Sequence, residues 1–137
     1  MKKKLVVAVV APGFRPREDV LNKIQDYIST QNHFEFQYDP KIIEKHPLNA
    51  ASVELRQETL AQAILDPLVD VVWCLRGGYG SLHLLSKLAK LKKPKKKKLL
   101  IGLSDITSLH IFLNQKWGWA SLHASHLDRW VENKVDE

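Results

Sequence analysis

The chain has 137 residues, the length of one ordinary domain, so a single hydrophobic core is expected. Hydrophobic residues make up 45% of the chain and charged residues 26%, which excludes disorder, collagen-like repeats and a coiled coil as the main state. The net charge of +6 comes from six lysines within residues 92–98, because the other 15 basic residues match the 15 acidic ones.

The lysine-rich segment is predicted to be a solvated loop, because it lacks the interleaved aromatic residues of a nucleic-acid binder. We therefore expect no nucleic-acid partner. Cys74 is the only cysteine, so an intramolecular disulfide is impossible and a reducing, cytoplasmic location is expected. We expect neither a membrane partner nor a secretory signal, because the apolar run at residues 5–11 is far shorter than a membrane span and minimal for a signal.

The first half of the chain predicts a strand, a helix and a second strand. Residues 5–11 are continuously apolar and rich in valine, which is typical of a parallel strand buried on both faces. A helix is expected from Pro16 to about Gln31, because apolar residues recur there at helical spacing. Alternating Phe34, Phe36 and Tyr38 indicate a strand near a sheet edge, and residues 40–47 are predicted to be a loop.

The second half repeats the alternation of helix and strand. A helix capped by Asn49 or Ser52 should end at residues 66–67, where a proline follows an aspartate. Buried strands are predicted at residues 69–75 and 99–101, with a helix over residues 84–91 between them. A further helix over residues 106–117 should stop at Gly118, and residues 119–123 can form a fifth strand.

This alternation predicts an α/β fold with a mostly parallel, doubly wound sheet of about five strands and helices on both faces. The strand order is expected to be flavodoxin-like, with the second strand at an edge. In such folds ligands bind beyond the carboxyl ends of the strands. The turns after the first, third and fourth strands should therefore lie at one edge of the sheet.

A glycine-rich turn follows the third strand. Gly77, Gly78 and Gly80 permit positive φ angles and close approach of backbone N–H groups to an anion or oxyanion. The spacing matches neither the dinucleotide fingerprint nor the P-loop. Spacing alone leaves two interpretations open, a tight structural turn and an anion site.

A serine-containing turn follows the fourth strand. Ser104 is placed to expose its hydroxyl at the start of a helix, as a nucleophile on a sharp strand-to-helix turn would be. Taken alone, the turn fits Ser104 or Asp105 as the N-cap of that helix better than it fits a nucleophile. None of the six histidines is a convincing general base: His110 lies on the same helix but off its face, and His83 and His123 suit packing or surface roles. No pattern indicates a metal site or another cofactor.

Two segments taken together resemble a known family. Residues 72–81 read Val-Trp-Cys-Leu-Arg-Gly-Gly-Tyr-Gly-Ser, and residues 101–110 read Ile-Gly-Leu-Ser-Asp-Ile-Thr-Ser-Leu-His. In this order they resemble the LD-carboxypeptidase family of serine peptidases, which includes muramoyl-tetrapeptide carboxypeptidases and microcin-immunity hydrolases. The likeness extends from residue 5 to about residue 123. It fades where the family often has His-Gly-Pro and this chain has His123-Ala124-Ser125.

The resemblance implies Ser104 as nucleophile and an oxyanion hole formed by the backbone N–H groups of Gly78 and Asp105. We expect Arg76, Gly77 and Tyr79 to contact the substrate. The resemblance also implies a glutamate and a histidine on a C-terminal domain, which these 137 residues do not contain. Residues 1–123 would then be the nucleophile-bearing N-terminal domain, and residues 124–137 a polar tail or the start of a linker.

The implied activity is serine-dependent hydrolysis of an amide next to a terminal carboxylate, in L,D-carboxypeptidase action on murein peptides. Two alternatives stay open: a microcin-type aminoacyl-nucleotide amide hydrolase, and a non-catalytic anion- or ligand-binding module. We expect a small peptide substrate, no activity from this chain alone and a possible homodimer. An exposed apolar patch is expected near the turns after strands three to five, including Trp117, Trp119 or Trp130.

Overall fold

Strands and helices alternate throughout residues 3–134, the part of the chain described by this computed structural model. The strands are β1 (Leu5–Val10), β2 (Phe34–Gln37), β3 (Val71–Cys74), β4 (Leu99–Gly102) and β5 (Ser121–His123). The helices are α1 (Glu18–Thr30), α2 (Val53–Leu65), α3 (Leu85–Leu88), α4 (Thr107–Trp117) and α5 (Leu127–Val131). Short 3-10 turns occur at Pro40–Ile42, Ser81–Leu84 and Ser104–Ile106.

The five strands form one sheet in the order β2-β1-β3-β4-β5, and every pair is parallel. This confirms the predicted α/β fold with its flavodoxin-like order, in which β2 lies at an edge. In the register Val9 is opposite Trp73, and Trp73 is opposite Ile101. The carboxyl ends of β1, β3 and β4 therefore lie side by side.

Apolar cores lie on both faces of the sheet, which explains why β1 is apolar at every position. Val6, Ala8 and Val10 face a core with α2 and α4, whereas Val9 packs against α1 and α5 on the other face. Trp117 and Trp119 belong to the first core, with 7% and 1% of their surfaces exposed. The expectation that these two residues lie in an exposed patch was therefore wrong.

Local signals place several element ends where the sequence predicts them. The Ser52 hydroxyl accepts a hydrogen bond from the Leu55 N–H at 3.2 Å and caps α2. Gly118 ends α4 in the left-handed conformation with φ of 64°. The helix predicted over residues 84–91 is shorter than expected, because the chain forms a 3-10 turn before α3 and its last N–H groups bond three residues back.

The lysine-rich segment is a loop, but two of its lysines are not freely solvated. Lys98 is only 4% exposed, and its ammonium donates to the carbonyls of Asp66 at 2.7 Å and Val69 at 3.1 Å. Lys96 lies 2.7 Å from an Asp70 carboxylate oxygen. The remaining four lysines of residues 92–98 are exposed, as predicted. The prediction failed for Lys98 because its long apolar stem is buried and carries the ammonium to carbonyls in the connection between α2 and β3.

Residues 124–134 pack on the domain, and residues 135–137 of the predicted polar tail lie outside the described residues. The helix α5 contacts α1, and Leu127 is completely buried. The Asp128 N–H donates to the Leu75 carbonyl at 3.0 Å, which attaches α5 to the end of β3. The sequence made no prediction of a helix here, because the segment is short and mostly polar. Across residues 3–134, no helix is long and apolar enough to cross a bilayer.

Candidate active site

A cleft of about 400 Å³ lies at the carboxyl edge of the sheet, between the turns that follow β1, β3 and β4. The turns contribute Phe14, Arg76, Gly77, Gly78 and Ser104, and the start of α1 and the residues in and around α5 form much of the remaining wall. The structure thus brings together the two motifs that the sequence singled out.

The glycine-rich turn is held close to the turn after β1. The Phe14 N–H donates to the Gly77 carbonyl at 2.8 Å. Gly78 has φ of 103°, and a Cβ at this position would lie 2.3 Å from the Phe14 ring. Only glycine satisfies both the backbone angle and the packing. The absence of a side chain at Gly78 leaves its backbone accessible from the cleft.

Ser104 has a strained backbone and an exposed side chain. Its φ of 57° lies in the left-handed region, which serine seldom adopts. Neither the 3-10 turn at Ser104–Ile106 nor α4 has a side-chain cap, so the N-cap alternative does not explain either Ser104 or Asp105. A strained residue at a strand-to-helix turn, with its hydroxyl exposed to a cleft, is the geometry of a nucleophile elbow.

The Asp105 side chain points away from the cleft and ties the two turns together. Its carboxylate accepts from the Ser81 N–H at 3.0 Å, and its carbonyl accepts from the Ser81 hydroxyl. The Ser81 hydroxyl is also 2.7 Å from that of Ser108. The side chain thereby fixes the backbone around Ser104 relative to the glycine-rich turn. The oxyanion-hole role expected for Asp105 concerns its backbone N–H and stays a prediction.

Arg76 and Tyr79 are placed differently, although both were expected to contact substrate. Arg76 lines the cleft, donates to the Arg15 carbonyl at 3.1 Å and lies 3.7 Å from an Asp128 carboxylate oxygen. Tyr79 is 53% exposed, its hydroxyl is 3.2 Å from the His83 ring nitrogen Nε2, and it is not among the cleft-lining residues. Tyr79 could reach a substrate in this structure only from outside the cleft.

His126 is the cleft residue that sequence reasoning missed. Its Nε2 lies 2.9 Å from the carbonyl oxygen of Leu103, and its Nδ1 is 4.0 Å from Asp128. Burial lowers the pKa of His126 and raises the pKa of Asp128, so both shifts favour the neutral forms. Two polar residues spaced i, i+2 after a strand that ends at the ligand-binding edge were the available signal.

The other histidines considered as bases lie elsewhere. His83 is exposed beside Tyr79, and His110 is buried under β4 with its Nε2 2.8 Å from the Gly102 carbonyl. Burial lowers the pKa of His110. The His123 ring lies beside that of His110, with 5.9 Å between centroids. None of these three lines the cleft.

Arg56 is a buried arginine that holds two of the cleft-forming turns together, and the sequence analysis did not predict this role. Arg56 is 4% exposed, and its guanidinium donates to the carbonyls of Pro12 at 2.7 Å, Gly80 at 3.0 Å and Ala51 at 3.1 Å. It therefore joins the turn after β1 to the turn after β3. Its spacing from Val53 and Leu60, which puts it on the apolar face of α2, was the available sequence signal. Within residues 3–134, no cluster of three or more histidine, cysteine or acidic side chains could hold a metal ion.

The fold and cleft define an α/β domain with a glycine-rich turn and a strained serine at its ligand-binding edge. Residues 7–124 match the family model of the LD-carboxypeptidase N-terminal domain, and the chain belongs to this family. A putative carboxypeptidase of Rickettsia conorii is 37% identical over 98% of the chain and 42% of the relative. The murein tetrapeptide carboxypeptidase of Pseudomonas aeruginosa is 33% identical over 75% of the chain and 34% of the enzyme.

Solved structures give the same fold. The muramoyltetrapeptide carboxypeptidase of Oxalobacter formigenes superposes with a TM-score of 0.76 at 28% identity, over 94% of this chain and 44% of that one. A microcin C7 self-immunity protein, MccF, superposes with a TM-score of 0.77 at 14% identity, over 96% of this chain and 40% of that protein. The chain therefore spans less than half the length of the relatives it matches.

Proposed function

We propose that this chain carries the nucleophile of a serine-dependent L,D-carboxypeptidase that acts on murein peptides. The observation that carries the proposal is the strained, exposed Ser104 in one cleft with Gly77 and Gly78. Membership of the carboxypeptidase family supports the reaction class. A murein tetrapeptide carboxypeptidase among the relatives supports the choice of substrate.

In the proposed reaction the Ser104 hydroxyl attacks the carbonyl carbon that precedes the terminal D-amino acid. The serine proton passes to a general base as the C–O bond forms, and the carbonyl oxygen becomes an oxyanion. The backbone N–H groups of Gly78 and Asp105 would donate to this oxyanion. Collapse breaks the C–N bond and releases the D-amino acid as it gains a proton. Water then hydrolyses the acyl-enzyme.

Arg76 is the residue proposed to receive the terminal carboxylate of the substrate. Its guanidinium lines the cleft next to Gly77 and is partly solvent-accessible, with 38% of the side chain exposed. A planar guanidinium can hold a carboxylate through two parallel hydrogen bonds. Asp128, 3.7 Å away, would keep Arg76 oriented without saturating it. This arrangement would favour peptides with a free carboxyl end.

The proposed general base does not come from residues 3–134. In that range, His126 is the one imidazole that lines the cleft, and its Nε2 is already bonded to Leu103. We propose that the base and its orienting glutamate belong to a C-terminal domain, as the resemblance to the family implies. We therefore propose that the 137-residue chain is inactive alone.

A chimera provides the test, with this chain replacing the matching N-terminal segment of the Rickettsia conorii relative. We expect the chimera to release the terminal D-amino acid from an L,D-tetrapeptide and Ser104→Ala to abolish this activity, because the nucleophile is lost. Ser29→Ala, at an exposed position of α1 outside the cleft, is the matched control and should retain activity. Turnover by Ser104→Ala would show that the nucleophile is another residue.

The chimera also distinguishes the proposed carboxypeptidase from a non-catalytic binding module and from a microcin-type hydrolase. A serine-directed fluorophosphonate should label the chimera at Ser104, because only an activated hydroxyl reacts. Ligand binding without labelling would indicate a non-catalytic module. Cleavage of an aminoacyl-nucleotide amide in preference to the tetrapeptide would indicate a microcin-type hydrolase.

A further inference from the structure

His126 lies between the two turns that form the cleft. Only 3% of its surface is exposed. Its Nε2 is 2.9 Å from the Leu103 carbonyl oxygen and 3.2 Å from the Leu103 amide nitrogen. A Cβ built on Gly77 would lie 2.7 Å from the imidazole Cε1 and 3.1 Å from Nε2, so Gly77 packs against the same edge of the ring. One side chain thus contacts both the residue before Ser104 and the glycine-rich turn.

We propose that His126 is a positioning residue that holds the Ser104 turn at a fixed distance from the Gly77–Gly78 turn. Its catalytic meaning rests on the proposed function, because the distance it sets is the one between the nucleophile and the oxyanion hole. The contact itself is a property of the domain. It can be tested without any activity.

The surroundings of His126 fit a structural clamp better than a general base. The imidazole is almost fully buried, and its Nε2 already has backbone partners. The Asp128 N–H bonds to the Leu75 carbonyl, and the Asp128 carboxylate faces Arg76 at 3.7 Å. The start of α5 is therefore attached to the chain after β3 through Asp128 and to the chain after β4 through His126.

The clamp has a defined hydrogen-bond chemistry. A neutral imidazole protonated on Nε2 donates to the Leu103 carbonyl, whereas the other tautomer accepts from the Leu103 N–H. Glutamine can replace either bond, because its side-chain amide carries both a donor and an acceptor. Phenylalanine fills a similar volume but can form neither bond. The pair His126→Gln and His126→Phe therefore separates hydrogen bonding from packing.

The first experiment compares amide resonances of the 137-residue chain by NMR. We expect His126→Phe to shift the Leu103, Ser104 and Gly77 amides, and His126→Gln to restore them towards the native positions. His33→Gln is the matched control and should leave all three unchanged, because His33 is exposed and directly precedes β2, at the opposite edge of the sheet from the Ser104 turn. A folded His126→Phe protein with native resonances at these three amides would overturn the proposal.

The second experiment tests the contact by its steric coupling and does not depend on His126→Phe folding. Gly77→Ala should lower the melting temperature by about 5 °C, because its Cβ would overlap the imidazole. In a protein that already carries His126→Ala, Gly77→Ala should lower the melting temperature by less than half of that amount. If Gly77→Ala lowers the melting temperature equally in the native chain and in His126→Ala, the proposal is overturned. If either experiment contradicts the role of His126 while Ser104→Ala still abolishes activity of the chimera, the proposed function remains supported and only the role of His126 is rejected.

Discussion

Gly78 and Gly118 both have positive φ angles, but only Gly78 also packs against a side chain. Gly78 has φ of 103°, and its Cβ would overlap the Phe14 ring, whereas Gly118 has φ of 64° and no atom within 4 Å of a built Cβ. We expect Gly118→Ala to cost about 1 kcal/mol of unfolding free energy through backbone strain alone. Gly78→Ala should cost about 3 kcal/mol or more, because overpacking adds to the strain. Urea unfolding measures both.

The comparison also tests whether the glycine-rich turn is built around Phe14. Phe14→Ala should reduce the penalty of Gly78→Ala and leave that of Gly118→Ala unchanged, because it removes the overlapping ring. Similar costs for the two glycine substitutions would show that Gly78 is needed for its backbone angle only.

At the scale of elements, Arg56 connects α2 to two of the turns that form the cleft. Its buried guanidinium satisfies the carbonyls of Pro12, Gly80 and Ala51, and burial lowers its pKa. We expect Arg56→Met to cost about 3 kcal/mol, because it leaves buried acceptors without donors. Gln57→Met, at an adjacent position, is the control and should cost less than about 1 kcal/mol. Thermal unfolding measures the stability of both variants. Equal losses of unfolding free energy would show that the hydrogen bonds of Arg56 do not stabilise the two turns.

Asp70 connects β1, β3 and the lysine-rich loop, and the pH dependence of stability reports on this contact. Its carboxylate accepts from Lys96 at 2.7 Å and from the Val6 N–H at 2.9 Å, and these bonds lower the pKa of Asp70. A lowered carboxyl pKa stabilises the fold at pH values above the ordinary 3.8, and this contribution is lost as the pH falls through the folded-state value.

Asp70→Asn should therefore lower the melting temperature at pH 7, and the difference from the native chain should shrink below about pH 4. Glu58→Gln is the control, because Glu58 forms a more exposed pair with Lys87 at 3.4 Å. That substitution should have little effect at either pH. A difference at Asp70 that is independent of pH would contradict the ionic origin of the contribution.

At the scale of the whole molecule, one face of the sheet is incompletely covered. The helices α1 and α5 pack over β1 to β3, and a groove of about 540 Å³ remains where Trp73, Ile101 and Leu122 are lined up. Leu122 and Trp130 in its wall are 45% and 44% exposed. The expected apolar patch thus exists at Trp130, although Trp117 and Trp119 are buried elsewhere.

Exposed apolar surface of this kind promotes association. We expect the isolated chain to self-associate as its concentration rises, and Leu122→Lys to reduce this in sedimentation velocity. Leu82→Lys is the control, because Leu82 is 61% exposed and does not line the groove. A chain that stays monomeric at all concentrations, or an equal effect of both substitutions, would show that the groove does not mediate association.

The sequence by itself determined the sheet and the sites of its turns. The valine-rich β1 was expected to be buried on both faces, alternating Phe34 and Phe36 indicated a strand near an edge, and Gly118 was expected to end α4. Ser52 was one of two candidate caps of α2, together with Asn49. These features depend on local periodicity and local backbone preference, which neighbouring residues fix. The positions of the Gly77–Gly78 and Ser104 motifs could also be predicted, because each follows a strand and parallel strands end at a common edge of the sheet.

Only the tertiary structure decided how the cleft is held together. The burial of Arg56, Lys98 and His126 depends on carbonyl groups that are far away in sequence and become neighbours only after the sheet forms. The burial of Trp117 and Trp119 likewise depends on a core assembled from distant elements. A polar side chain satisfied by remote backbone leaves no periodic trace in the sequence, so its environment is fixed by packing.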